Sequence, residues 1–371
     1  MFFTLLVLAL ALSNPVAATQ TMNHEDAIHA FDYVVVITLE NQGIADIINS
    51  SFAPFLNQLA SSYSLATNYT GIDHPSLPNY LALVSGQSFS SWSKADCSPG
   101  PDCSAGNAPN IVDGLESRGL TWKAYMEDYP SNCGSQCSNG GCFLGDTGTG
   151  TYVARHDPFV YFNDIVNSTD RCANIVPANS AGHGGPDNLF LSDLASPSTA
   201  SNLMWLAPNL CDDMHDSCNG LNNQTDTGSC GASSQCVPQG DSYLAHLVPS
   251  ILTSNLFTHQ KAALFITFDE GNGYCPIDGT SRDCVYAIWA GPAVKTSFKS
   301  SASFNHYSFL STLETVWNLQ PLTSNDANAQ PMTQFFAVHH NNHEHSERFE
   351  LRDDRDKPRE HDHSRSEAPD E

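Results

Sequence analysis

The feature that most limits the fold is a seven-residue run, Tyr33-Val-Val-Val-Ile-Thr-Leu39, in which β-branched residues are nearly continuous. A half-solvated strand alternates apolar and polar residues. An unbroken apolar run demands burial on both faces, as in an inner strand of a parallel sheet covered by helices. Comparable runs occupy Thr121 to Met126, Asn202 to Ala207, Ala262 to Phe268 and Cys284 to Ala290. Between them, Phe52 to Tyr63 carries apolar residues at 52, 55, 56, 59 and 63, which is helical spacing. Leu77 to Val84, Asn110 to Arg118, Asp241 to Phe257 and His306 to Leu319 are further predicted helices. Strand then helix, repeated, predicts an α/β three-layer sandwich with a mostly parallel central sheet. The stretches 87–109, 130–150 and 211–240 read as Cys-rich loop insertions on that frame.

Both ends of the chain depart from this pattern. Residues 1–18 read as a signal peptide: an apolar run from Phe2 to Leu12, a break at Pro15, then small residues at Val16-Ala17-Ala18. Residues 339–371 hold 11 acidic and 6 basic side chains and six histidines, with almost no large apolar residue. Such a tail buries too little surface to offset its ordering entropy, so a disordered, charged, His-rich segment is expected. The domain that folds is therefore 30–338. All twelve cysteines lie beyond the signal, an even number that predicts up to six disulfides in an oxidising compartment. Sequons at Asn49, Asn68, Asn167 and Asn223 predict N-glycans on a secreted protein, extracellular or cell-wall associated. No later stretch is long and apolar enough for a transmembrane helix.

In open α/β sheets, ligands bind beyond the carboxyl ends of the strands, so the residues following each apolar run carry the functional reading. Glu40-Asn41 follows the first run, offering hard oxygen ligands for a divalent cation or a helix cap. Asp269-Glu270-Gly271 follows the run 262–268. Two adjacent carboxylates at a Gly-rich exit are costly to bury together unless a cation or proton intervenes. Ser76, in His74-Pro75-Ser76-Leu77-Pro78-Asn79, is expected at the N-cap of a helix. It is either a helix start or a nucleophile whose phosphoryl oxyanion the helix N-terminus stabilises. Asp212-Asp213-Met214-His215-Asp216 follows the run 202–207, and His306 opens the last helix.

Taken in order, Leu39-Glu40-Asn41, the segment His74 to Gly86, Trp122-Lys-Ala-Tyr-Met-Glu127, Arg155-His156-Asp-Pro158, Ala207 to His215, Thr267-Phe-Asp-Glu-Gly271 and His306 to Glu314 resemble the phosphoesterase family of secreted acid phosphatases. That family is related to bacterial phospholipases C and belongs to the alkaline phosphatase superfamily. The resemblance implies an alkaline-phosphatase-like sandwich and one divalent metal held by Glu40, Asn41, Asp269 and Glu270. It also implies Ser76 as nucleophile and His215 or His306 as proton carrier. His74, Asn79, Lys123, Arg155, His156 and Asp213 would contact substrate. Many members carry Asp-x3-His in the middle segment where this chain has Asp-x-His, a departure that leaves a second metal in doubt.

The expected activity is hydrolysis of small phosphate monoesters through a phosphoserine. A phospholipase C-type phosphodiesterase, a phosphoinositide phosphatase and a non-catalytic secreted glycoprotein are the competing readings. The whole chain has 15 Lys+Arg against 40 Asp+Glu, a formal charge of −25. So acidic a body argues against nucleic-acid binding, which needs a basic footprint. It also leaves a metal to supply the positive charge that an anionic substrate requires.

Overall fold

The computed structural model describes residues 27 and 29–337, apart from 148–150, 181–186, 220–224, 231–234 and 278. The signal-peptide reading, the charged tail and the sequon at Asn223 fall outside the described residues.

Eleven strands are present among the described residues: β1 (Tyr33–Leu39), β2 (Ser64–Thr70), β3 (Trp122–Met126), β4 (Ile175–Pro177), β5 (Leu203–Ala207), β6 (Asp216–Asn219), β7 (Thr225–Ser229), β8 (Ala262–Phe268), β9 (Cys284–Ala290), β10 (Phe298–Ser300) and β11 (Phe304–Asn305). Nine form one sheet in the order β10-β2-β9-β8-β1-β5-β3-β4, with β11 also on β2, while β6 and β7 pair separately. β1 lies parallel to both β5 and β8 at the centre. Every residue of β5, β8 and β9 is buried, as the unbroken apolar runs predict. β9 is antiparallel to both β8 and β2. The sheet is thus mostly parallel with one reversed strand, and that strand's N-terminus reaches the edge where its neighbours end.

Helices α1 (Pro54–Ser62), α2 (Ser76–Ser85), α3 (Ile111–Ser117), α4 (Val237–Leu252) and α5 (His306–Trp317) correspond to the predicted amphipathic stretches. On α5, Phe309 stacks on Phe265 of β8 at 4.6 Å between ring centroids, tying helix to sheet. The expected single helix from Asp241 to Phe257 is instead two, α4 and a short helix Asn255–His259. Ser254 starts the second by accepting the Phe257 N–H, a cap that competes with helix continuation.

All twelve cysteines are paired. Five disulfides join cysteines four to nine positions apart: Cys97–Cys103, Cys133–Cys137, Cys211–Cys218, Cys230–Cys236 and Cys275–Cys284. The sixth, Cys142–Cys172, closes a separation of 30. Short loops forfeit little entropy when cross-linked, so these bridges fasten individual loops to an apolar core that carries the fold.

Candidate active site

The parallel register pairs Leu39 of β1 with Phe268 of β8, so the next residues, Glu40 and Asp269, emerge side by side. The Asp269 N–H donates to Leu39 O at 2.9 Å. Asn41 then turns the chain at φ 61°, a left-handed conformation that asparagine tolerates, and its N–H donates to Asp269 Oδ1 at 3.2 Å. Gly271 lets the two exit loops meet. A Cβ there would lie 2.9 Å from Asp283 Oδ1 and 3.0 Å from Gly43 Cα. Both the glycine and the asparagine thus serve close packing of two acidic strand ends.

Ser76 arrives from β2 through residues 71–75. Pro75 is the N-cap of α2 and Ser76 its first helical residue, a correction to the expected N-cap position. The Ser76 side chain is therefore not consumed in capping. Its Oγ donates to Glu40 Oε2 at 2.9 Å. Asn79 Oδ1 accepts the Ile72 and Asp73 N–H groups, and Asn79 Nδ2 lies 3.4 Å from Glu270 Oε2, fixing the turn that delivers the serine. The helix N-terminus is not open as expected. Asp96, from the first Cys-rich insertion, accepts the Leu77 N–H at 3.0 Å and lies 3.5 Å from Arg155 Nε.

His156 joins the carboxylates. Its Nε2 stands 3.1 Å from Glu40 Oε1 and its Nδ1 3.2 Å from Asp213 Oδ2, while the ring stacks on Tyr80. Burial pushes the carboxyls of Glu40, Asp269 and Asp213 well above the usual range, and neighbouring carboxylates push them further. Burial holds the His156 imidazole well below its ordinary value. The two His156–carboxylate contacts lack hydrogen-bond geometry, which leaves Glu40 Oε1, His156 Nε2 and Asp213 Oδ2, with Asp269 Oδ2, buried and without a hydrogen bond. No three His, Cys, Asp or Glu side chains among the described residues already stand in ion-holding geometry. The donor chemistry nevertheless fits a divalent cation. Converging buried oxygens and an imidazole, short of positive charge and with unsatisfied atoms, are what a cation relieves.

Two basic groups flank this cluster. His74 bridges Asp283 Oδ2 (3.2 Å) and Glu270 Oε2 (2.9 Å), and hydrogen bonds to those two carboxylates raise it to about 10. Arg155 is the second, on the far side beside Asp96. His215 follows left-handed Met214 and takes the Asp213 Oδ1 on its N–H at 2.8 Å. Its Nδ1 is held by Asp216 Oδ1 at 2.6 Å, its ring is 5.8 Å from that of His156, and it keeps some solvent contact.

Other expected site residues sit elsewhere. His306 is wholly buried, with Nε2 2.6 Å from the Asp269 carbonyl oxygen and Nδ1 3.0 Å from Tyr69 Oη; burial pushes it down to about 4. It braces the backbone of Asp269 and has no ring nitrogen left for a substrate. Lys123 lies in β3, paired with Asp193 at 2.8 Å, and is not brought into the group. Conversely, Tyr80, Asp96 and Asp283 belong to the group and were not singled out in the sequence. Asp283 was findable. It immediately precedes β9, and a reversed strand places its start where parallel strands place their ends.

This arrangement has counterparts. The chain matches the Phosphoesterase family over residues 46–320. It is 28% identical to a phosphatidylinositol-3-phosphatase of Mycobacterium tuberculosis, covering 84% of this chain and 85% of that protein. It is also 28% identical to a probable acid phosphatase of Kluyveromyces lactis and to a phosphate-repressible acid phosphatase of Penicillium chrysogenum. Those matches cover 81% of this chain but only 61% and 62% of the two fungal proteins, so the chain spans about three-fifths of their length. Among solved structures, an alkaline phosphatase superfamily protein of Vibrio parahaemolyticus shares the fold at a TM-score of 0.51 and 13% identity, covering 77% of this chain and 66% of that one. Murine ectonucleotide pyrophosphatase/phosphodiesterase 5 does so at 0.51 and 12%, covering 78% and 96%. With its sheet, strand-end carboxylates and serine-bearing helix in that company, the chain belongs to the Phosphoesterase family and is a phosphoric ester hydrolase.

Proposed function

We propose that the protein is a secreted acid phosphatase that hydrolyses phosphate monoesters through a phosphoserine at Ser76. The observation that carries this reading is a serine hydroxyl at a helix start, buried and hydrogen-bonded to a strand-end carboxylate with unsatisfied acidic neighbours. Glu40, Asn41, Asp269 and Glu270 would hold one divalent cation, which when bound would neutralise phosphoryl charge and favour the serine alkoxide. Ser76 Oγ passes its proton to the Glu40 carboxylate that it already hydrogen-bonds and attacks phosphorus, and the bond from phosphorus to the ester oxygen breaks. His215, oriented by Asp216, protonates that departing oxygen. Water then attacks the phosphoserine, releasing inorganic phosphate and restoring the hydroxyl. His74 and Arg155 supply positive charge around an otherwise acidic site, and His306 keeps the Asp269 backbone in place.

Six disulfides support export of the protein. The extensive mutual coverage with a phosphatidylinositol-3-phosphatase favours a phosphoinositide head group among candidate monoesters. The discriminating assay compares p-nitrophenyl phosphate, its bis-ester and a soluble phosphoinositide from pH 4 to 9, with and without chelator. Monoester turnover at acid pH, lost to chelator, supports the proposal. Preference for the diester, or chelator-insensitive turnover, contradicts it.

A further inference from the structure

We propose that a second cation site, for a hard oxygen-preferring divalent ion of the calcium class, lies beside the candidate active site and is built by Glu127, Asp128, Asp187 and Asp212. These acids come from three places. Glu127 and Asp128 leave the end of β3, Asp212 follows β5, and Asp187 precedes the short helix Asn188–Asp193. Helix α4 covers them with Gln239 and Tyr243. Glu127 is fully buried, and Asp187, Asp212 and Asp128 are 2%, 5% and 8% exposed.

Neutral groups donate several hydrogen bonds to these acids. Glu127 Oε2 accepts the Asn209 N–H at 2.9 Å, and Asp128 Oδ2 accepts Asn209 Nδ2 at 2.8 Å. Asn179 Nδ2 lies 3.4 Å from Asp128 Oδ1, and Gln239 Nε2 3.4 Å from Asp212 Oδ1. Tyr243 Oη donates to Asp187 Oδ2 at 2.5 Å. After these bonds, Glu127 Oε1 and Asp187 Oδ1 remain buried without a partner. Two orphaned carboxylate oxygens, from chain segments sixty positions apart, face a region where further carboxylates already raise each other's cost of ionisation. Burial first, then Asp212, Asp187 and Asp128, push the Glu127 carboxyl up; burial, then Asp212 and Asp128, take Asp187 to about 7.

Carboxylate oxygens with amide groups interspersed suit a hard cation that accepts six to eight oxygen ligands at irregular angles. No three such side chains among the described residues already stand in ion-holding geometry, so the ion gathers them as it binds. The consequence reaches the active site through one segment. Asp212 belongs to the new site, whereas the next residue, Asp213, faces His156, and His215 follows. Gly240 of α4 packs so closely on this segment that a Cβ would lie 2.9 Å from Asp212 O. An ion here ties the ends of β3 and β5 together and positions Asp213 and His215.

The test uses the Glu40→Gln protein, which removes a carboxylate from the proposed catalytic centre, so that its outcome does not depend on the catalytic reading. Calcium is titrated calorimetrically, and terbium by luminescence sensitised through tyrosine, since Tyr243 touches Asp187. Glu40→Gln alone should take up one equivalent of calcium, show terbium luminescence and melt at a higher temperature with calcium. Adding Glu127→Gln or Asp187→Asn should abolish all three. Both changes keep side-chain shape, and the parent protein alone keeps the claim open to refutation. Absence of uptake in the parent, or uptake persisting in either double variant, overturns the proposal.

Discussion

Ser76 Oγ donates a 2.9 Å hydrogen bond to Glu40 Oε2, while Glu40 Oε1 faces His156 Nε2 at 3.1 Å. One carboxylate therefore orients Ser76, the proposed nucleophile, and links it to the Asp213–His156 pair. Glu40→Gln keeps the shape and removes the charge. We expect turnover to fall by several orders of magnitude and the metal-free protein to melt no lower, because an uncompensated buried carboxylate costs stability that an amide does not. Differential scanning calorimetry beside a phosphatase assay checks both.

The two histidines first weighed for proton transfer separate by their surroundings. His215 is oriented by Asp216 and partly open, whereas both ring nitrogens of His306 are engaged inside the core. His215→Asn should lower kcat by about 10²–10⁴-fold on an alkyl phosphate. On p-nitrophenyl phosphate, whose leaving group needs no proton, the loss should be much smaller. His306→Asn should instead lower the melting temperature, with no such dependence on leaving group.

Asp96 places a carboxylate on the helix N–H next to Ser76, where the proposed phosphoryl group would find the positive end of α2. Asp96→Asn removes that negative charge and frees Arg155. KM for a monoester, and the inhibition constant for inorganic phosphate, should fall by several-fold. An unchanged or higher KM would show that the carboxylate does not oppose substrate.

Stability should tilt toward acid. The Glu314 carboxyl, buried and beside Asp326, is pushed up to about 9, and burial takes Asp157 to about 7. Each group holds its proton in the folded state at pH values where the unfolded chain has lost it. Stability from these groups is therefore full below about pH 4 and declines as pH rises toward 7 for Asp157 and 9 for Glu314, by about 1.4 kcal/mol per pH unit per group. Urea unfolding at pH 5 and pH 8 should show higher stability at pH 5. Glu314→Gln should flatten that slope.

The frame was legible because burial on two faces writes itself into a strand. The runs at 33–39, 262–268 and 284–290 coincide with β1, β8 and β9. β2 was missed because Ser64-Leu-Ala-Thr-Asn-Tyr-Thr70 is too polar to read as an inner strand, although the sheet pairs it on both sides. At the site, strand-end logic reaches Glu40 and Asp269, which the β1–β8 register sets side by side, and Asp213, which a loop after β5 brings to them. It could not place His156 between two of them, because that contact depends on a loop conformation with no periodic signature. Nor could it set the surroundings of Lys123 and His306: a basic residue near a motif says nothing about which way its strand or helix turns it.

The proposed mechanism turns on whether Ser76 carries the phosphoryl group. Rapid acid quenching of the enzyme with a radiolabelled phosphate monoester, followed by peptide mapping, tests it most directly. Label is expected on the peptide containing Ser76, with no label and a turnover loss of several orders of magnitude in Ser76→Ala. Near-normal turnover by Ser76→Ala, or label on another residue, would contradict it.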